Sequence, residues 1–310
     1  MQPNKFTFRY LAPSFWITWI LLAVMRTIIL LPYSLQMSMG AWLGQLLHIL
    51  ASERRKIAAT NIALCFPRLT QIEQKNLLHA HFISLGQGLV ETALCWWGRQ
   101  QQLAPLTKIT GKAYLDSALN QGKGVILLSA HFTTLEIGGR LLAEHCPFQV
   151  LYRPHKNALF EWVMHNARKR RFNKAIPRKN TRALIRSLKQ GNAIWYAPDQ
   201  NYSGVNSLFA PFFDIPAATT SATSRLAAIS GACVIPFFQM RLPDNQGYLL
   251  TLCPPLENFP SGKLLEDTTR INQLITQVVR EQPEQYLWVH RRFKNRPDNK
   301  TSHYSRKHNT

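Results

Sequence analysis

Gly122-Lys-Gly-Val125-Ile-Leu-Leu128-Ser-Ala-His131-Phe-Thr-Thr-Leu-Glu136-Ile-Gly-Gly139 is the stretch on which the fold turns. Turn residues bound the apolar run Val125–Leu128, which therefore reads as a short buried strand. Residues 135–144 then read as a helix, so His131 falls just past a strand end, at the mouth of the next helix. Ligands of open α/β sheets gather at the carboxyl ends of strands, and a titratable pair there is placed for chemistry. Four residues separate His131 from Glu136. That spacing sets the carboxylate where it can reach back to one ring nitrogen, fix the tautomer and stabilise imidazolium. The other nitrogen is then free to take a proton from a hydroxyl. This is the histidine–carboxylate half of a nucleophilic triad, with a substrate hydroxyl in place of an enzyme serine. No G-x-S-x-G elbow accompanies it, and H-x4-E is not the H-E-x-x-H zinc pattern. The spacing by itself recurs often by chance, so the strand-end position carries more weight than the motif.

Outward from this stretch the alternation continues. Strands are expected at 148–152, 193–197, 233–238 (with Pro236 inside it) and Tyr248–Leu252, and helices at 180–191, 221–230 and 268–280. Before it, residues 34–97 are helical by spacing. Pro67 ends one piece, and Thr70 followed by Glu73 suggests a capping box that opens the next. The fold class expected is α/β: a mixed central sheet flanked by helices, with an N-terminal hydrophobic membrane-anchoring helix. The expected division is a membrane anchor at 1–33, a helical cap at 34–105, the α/β domain at 106–297 and a polar tail at 298–310.

The anchor rests on residues 15–31, FWITWILLAVMRTIILL, which is about as long as the shortest spanning helices. Trp16 and Trp19 fit an interfacial belt, and Arg26 can snorkel to a headgroup. Spanning and lying flat stay open alternatives, and a buried first helix is the plain one. A signal peptide is disfavoured because Arg26 breaks the run.

Charge is the outlier of the composition. Lys and Arg number 37 against 16 acids, a formal net charge of +21. Such a balance implies an anionic partner: acidic lipid, an acidic protein, a phosphorylated substrate or nucleic acid. The chain has no helix-turn-helix, zinc or aromatic RNA-binding signature, and its hydrophobic start speaks against nucleic acid. The five cysteines are scattered and never in C-x2-C spacing, which fits small buried hydrophobes in a reducing compartment. No metal site is expected.

Five blocks then carry a resemblance. They are His131-Phe-Thr-Thr-Leu-Glu136, Tyr152-Arg-Pro154, Trp195-Tyr-Ala-Pro-Asp199, Ser230-Gly-Ala-Cys-Val-Ile-Pro236 and the closing block at 283–297, PEQYLWVHRRFKNRP. In this order and spacing the chain resembles the late lipid A biosynthesis acyltransferases of Gram-negative bacteria, with the lauroyl branch favoured over the myristoyl. The resemblance implies transfer of a fatty acyl group from acyl-acyl carrier protein to the hydroxyl of a 3-hydroxyacyl chain on a lipid A precursor. It implies His131 as general base, Glu136 as the acid that orients it, and Arg168 as a further site residue, with Arg170 the alternative at that position. No cofactor is implied beyond the phosphopantetheine that carries the donor. The implied partners are acyl carrier protein, the lipid A precursor and anionic inner-membrane lipid. The implied protein is a monomer whose catalytic domain lies on the cytoplasmic face of the cell inner membrane. One departure is Asn201, where relatives of the lauroyl branch often carry a second acid.

Other residues are candidates for substrate binding: Arg153 for a phosphate or the donor carbonyl, and Arg168 to Arg171 for the glucosamine phosphates. Asp199 is read as shaping a turn or touching substrate. Arg291, Arg292, Lys294 and Arg296 are candidates for gripping the carrier protein or headgroups, or for lying on the bilayer as a basic tail. Trp96, Trp97, Phe212, Phe213 and the run near Thr219 are candidates for an acyl tunnel, with plain core as the alternative. His81, His145, His165 and His290 read as structural or surface residues. A thioesterase or lipid hydrolase using the same histidine with water is the rival enzyme.

Overall fold

A computed structural model describes residues 6–152, 155–169, 174–177, 180–297 and 302–304. Short turns lead into α1 (Trp16–Ile28), α2 (Tyr33–Leu50), α3 (Ser52–Cys65), α4 (Gln71–Trp97) and the short α5 (Gln100–Leu103). The capping box opens α4 as expected. Thr70 N–H donates to Glu73 Oε2 at 2.7 Å, and Glu73 N–H donates to Thr70 Oγ1 at 3.3 Å.

The alternating part follows as β1 (Thr107–Thr110), α6 (Lys112–Asn120), β2 (Val125–Leu128), α7 (Leu135–Leu142), β3 (Gln149–Tyr152), α8 (Ala158–Lys169), β4 (Lys174–Pro177), α9 (Thr181–Lys189) and β5 (Ala193–Tyr196). A two-stranded hairpin, β6 (Ser207–Phe212) and β7 (Ile215–Thr220), comes next, then α10 (Ala222–Ser230), β8 (Cys233–Arg241), β9 (Tyr248–Leu252) and α11 (Leu264–Glu281).

Seven strands form one sheet in the order β1-β9-β8-β2-β5-β3-β4. Only the β8–β9 pair is antiparallel, so β9 and β1 run against the rest and the sheet is mixed. Side chains alternate along β2. Val125 and Leu127 join the core shared with α1, α4, α6, α7 and α8, while Ile126 and Leu128 join the one shared with α3, α9, α10 and α11. β2 is buried at every position because helices cover both faces of the parallel part.

Of the alternatives open for the N-terminal segment, spanning finds no support. Among the described residues no helix is long and apolar enough to cross a membrane. Pro13 precedes the apolar run and Pro32 follows it, and α1 keeps only 13 residues between them. At 1.5 Å per residue that is about 20 Å, against roughly 30 Å of hydrocarbon.

Candidate functional site

β2 and β5 are adjacent and parallel, with Leu128 paired to Tyr196, and the ladder runs one step further as Ser129 N–H donates to the Tyr196 carbonyl at 2.9 Å. His131 lies three residues beyond Leu128, and Asp199 three beyond Tyr196. The shared register brings them side by side. The Asp199 carboxylate accepts from His131 Nδ1 at 2.6 Å and from the His131 backbone N–H at 3.0 Å. Nδ1 therefore carries the ring proton, and Nε2 is the nitrogen able to accept one. The His131 side chain is 29% exposed and that of Asp199 1%, so the ring meets solvent while its partner does not.

The closing block forms the wall of the site. Phe132 and Tyr286 make an antiparallel bridge, Leu287 N–H donates to the His131 carbonyl at 2.9 Å, and Thr133 N–H donates to the Gln285 carbonyl at 2.8 Å. The buried Tyr286 hydroxyl donates to Asp199 Oδ2 at 3.0 Å. Burial and the Asp199 charge push the Tyr286 phenol well above its usual range, which keeps it a donor. Burial would push the Asp199 carboxyl up. The His131 charge, the hydrogen bonds from His131 and the Arg292 guanidinium outweigh that and hold it at about 2. Asp199 is thus a fixed anion that orients the ring and stabilises imidazolium.

The ring contact assigned to Glu136 from its spacing is therefore made by Asp199. Glu136 sits in the first turn of α7, half-buried, where the helix dipole favours a negative charge. Arg292, expected to grip a partner, is 1% exposed. It donates to the Ala218 carbonyl at 2.9 Å and to Thr219 Oγ1 at 2.6 Å, so its fork is used inside the protein. Arg291 stays at the surface in a 3.0 Å pair with Glu53, an exposed ion pair that adds little to stability. Arg168 lies in the last turn of α8, and its side chain is outside what the structure describes, as are Arg153 and Arg170 altogether.

Trp96, Phe212 and Phe213 pack in the two cores, the plainer of the alternatives weighed for them. Asn201 ties the β5 exit to the closing block. Its Nδ2 donates to Asn295 Oδ1 at 3.0 Å, and Asn295 N–H returns a bond to Asn201 Oδ1 at 3.0 Å. His290 Nε2 accepts from Asn201 N–H at 3.1 Å.

Two histidines, His81 fully buried and His290 half-buried, brace this wall in their neutral form. His81 Nδ1 donates to the Glu284 carbonyl at 3.1 Å, and burial pulls its pKa down to about 4. His290 is likewise held at about 4, first by burial. Both sit below the ordinary 6.5, so their contribution is complete above pH about 6.5 and is lost as pH falls towards 4. For the fully buried His81 the loss is roughly 3 kcal/mol. Urea midpoints should fall steeply over that window. His81→Asn, which keeps a donor for Glu284 and cannot titrate, should flatten the fall.

Residues 4–295 match the family described as bacterial lipid A biosynthesis acyltransferase. This chain belongs to that family. A lipid A biosynthesis lauroyltransferase and a lipid A biosynthesis palmitoleoyltransferase of Escherichia coli K12 are each 36% identical to it over 301 residues, covering 97% of this chain and 98% of theirs. Among solved structures, the 1-acyl-sn-glycerophosphate acyltransferase PlsC of Thermotoga maritima covers 74% of this chain and 98% of its own. Its identity of 12% and TM-score of 0.37 make the likeness too slight to build on. The protein is thus a late acyltransferase of lipid A biosynthesis, and the pair at the ends of β2 and β5 is its candidate active site.

Proposed function

We propose that this acyltransferase moves a fatty acyl group from acyl-acyl carrier protein to the hydroxyl of a 3-hydroxyacyl chain on a lipid A precursor, at the cytoplasmic face of the cell inner membrane. The 2.6 Å contact between His131 Nδ1 and the buried Asp199 carries this reading, because it leaves Nε2 as a base for a hydroxyl. Nε2 takes the acceptor's proton as its oxygen attacks the thioester carbonyl. The tetrahedral oxyanion then collapses, the C–S bond breaks, and the imidazolium returns the proton to the departing thiolate. Arg168 and backbone amides are assigned to the oxyanion. Glu136 is assigned to the same site as a second carboxylate. The thioester supplies the activation, so the chemistry needs no metal, cofactor or acyl-enzyme.

A cavity of about 490 Å³, whose lining includes Phe132, Phe238, Met240, Leu256 and Leu274 together with Arg270 and Glu281, is assigned to the acyl chain. The net charge of +21 suits a carrier protein, a phosphorylated lipid and an anionic leaflet alike, and no nucleic acid is needed to account for it. Lauroyl is the acyl group favoured, and a myristoyl-type donor is the alternative.

In a radiolabelled transfer assay, His131→Ala should lose about 10³-fold or more of the product while staying folded. Near-normal product would overturn the assignment. Steady fatty-acid release without acceptor would favour hydrolysis instead. Mass spectrometry of lipid A from a strain lacking this protein reads the chain length and the acylated position.

A further inference from the structure

Leu128, three residues before His131, is paired on one side with Pro236 of β8 and on the other with Tyr196 of β5. Pro236 lines the cavity assigned above to the acyl chain. Tyr196 lines a second cavity, of about 340 Å³, between β3, β5, α9 and α10. That volume falls within the usual range of small-ligand sites, roughly 300–1,000 Å³. The two cavities thus flank the end of β2 on opposite sides, with the His131 exit between them. Asp199 is tied to the second by the chain itself, since Tyr196 and Tyr202 on its wall lie three residues before and three after it. The Tyr202 N–H donates to the Ala218 carbonyl at 3.1 Å, the same oxygen that takes the Arg292 guanidinium.

The lining of the second cavity is mixed. Leu184 and Leu226 form a buried apolar floor, Tyr202 and Asn206 offer a hydroxyl and an amide, Arg225 brings an exposed guanidinium, and no acid lines it. Beside it Arg182, Arg186 and Lys189 stand exposed along one face of α9. From residue 162 to residue 213 the chain has ten lysines and arginines against one acid, the buried Asp199. This face therefore attracts an anion with little internal neutralisation. Every exposed position of α9 is polar or charged, which suits an acidic protein in water and not hydrocarbon. The bonding of the donor agrees. The two halves of a thioester leave its carbonyl carbon in opposite directions, so an acyl chain beside β8 puts the thiol's arm beside β5.

Resting on the acyl-carrier-protein part of the reading above, we propose that the cavity beside β5 receives the phosphopantetheine arm of the donor and that Arg182, Arg186 and Lys189 dock the acidic carrier. Arg225 takes the phosphodiester of the arm, Tyr202 and Asn206 take its amides, and Leu184 and Leu226 take its paired methyls. The Arg182→Glu/Arg186→Glu variant, changed only at exposed positions, should keep its circular dichroism spectrum. Its KM for acyl-acyl carrier protein should rise about tenfold or more, because like charges then face the carrier, and its KM for the lipid acceptor should not move. An unmoved donor KM, or a rise in the acceptor KM instead, would overturn the docking surface and leave the donor assignment standing. Unaltered enzyme that takes no acyl group from acyl carrier protein would overturn both.

Binding without turnover tests the arm. Holo-carrier protein should bind the unaltered enzyme about tenfold more tightly than apo-carrier protein, which lacks the arm, and Arg225→Ala should remove most of that difference. Equal binding of the two forms, or a difference that survives Arg225→Ala, would overturn the placement of the arm.

Discussion

Asp199→Asn lowers the turnover number about 10³- to 10⁴-fold, with KM little changed and the fold intact. Asparagine fills the same space, but its amide offers one acceptor where three donors converge: the His131 ring, the His131 backbone and the Tyr286 hydroxyl. With an amide NH₂ facing Nδ1, the ring is driven to the tautomer whose proton sits on Nε2, and the base is lost. Steady-state kinetics with a circular dichroism control test this. A loss under tenfold would mean that the ring is oriented by another group.

Glu91→Leu costs about 3–5 kcal/mol of stability, because it strands a buried cation. Arg241 Nε and Nη2 fork onto the two Glu91 oxygens at 2.5 and 2.9 Å, and the Tyr248 hydroxyl donates to Glu91 at 2.8 Å. Burial alone would lower the proton affinity of Arg241, and Glu91 more than offsets it. With leucine in place, the guanidinium stays 8% exposed and keeps only its neutral contacts to Ser84 and Gln87. The Glu91→Leu/Arg241→Met pair removes charge and countercharge together and should recover all but about 1 kcal/mol. Urea denaturation of the two variants separates a stranded charge from lost packing.

The strands that sequence revealed are central ones. Val125–Leu128 and the run from Ala193 are apolar because helices cover both faces, and such runs announce themselves. β1 and β4 carry no such signal. They are four-residue edge strands carrying lysine, threonine and proline, the composition by which edges resist pairing with another chain. The hairpin β6–β7 and helices α6 and α8 lie outside the elements expected from sequence.

His131 was found because its strand precedes it directly. The acid nearest to it in sequence is Glu136, whereas the one that meets its Nδ1 lies across the sheet, 68 residues away. Both blocks were visible, each ending three residues past a strand. What hydropathy does not show is that β5 returns to lie beside β2 after β3 and β4 have been laid down outside it. Arg292 misled for a related reason. Surrounded by Arg291 and Lys294 it reads as surface, and only the fold shows it turned inward beneath Asp199 and Tyr286.

The common register of β2 and β5 also constrains how this enzyme can tolerate gaps. His131 and Asp199 meet because Ser129-Ala130 and Ala197-Pro198 are the same length. One residue added to either exit would shift its side chain by roughly 3.3 Å, more than a hydrogen bond can stretch. It would do so without altering either His131 or Asp199. In these two short connections the number of residues is as much a part of the candidate active site as the chemistry of those they present, and a deletion there should be as damaging as a substitution.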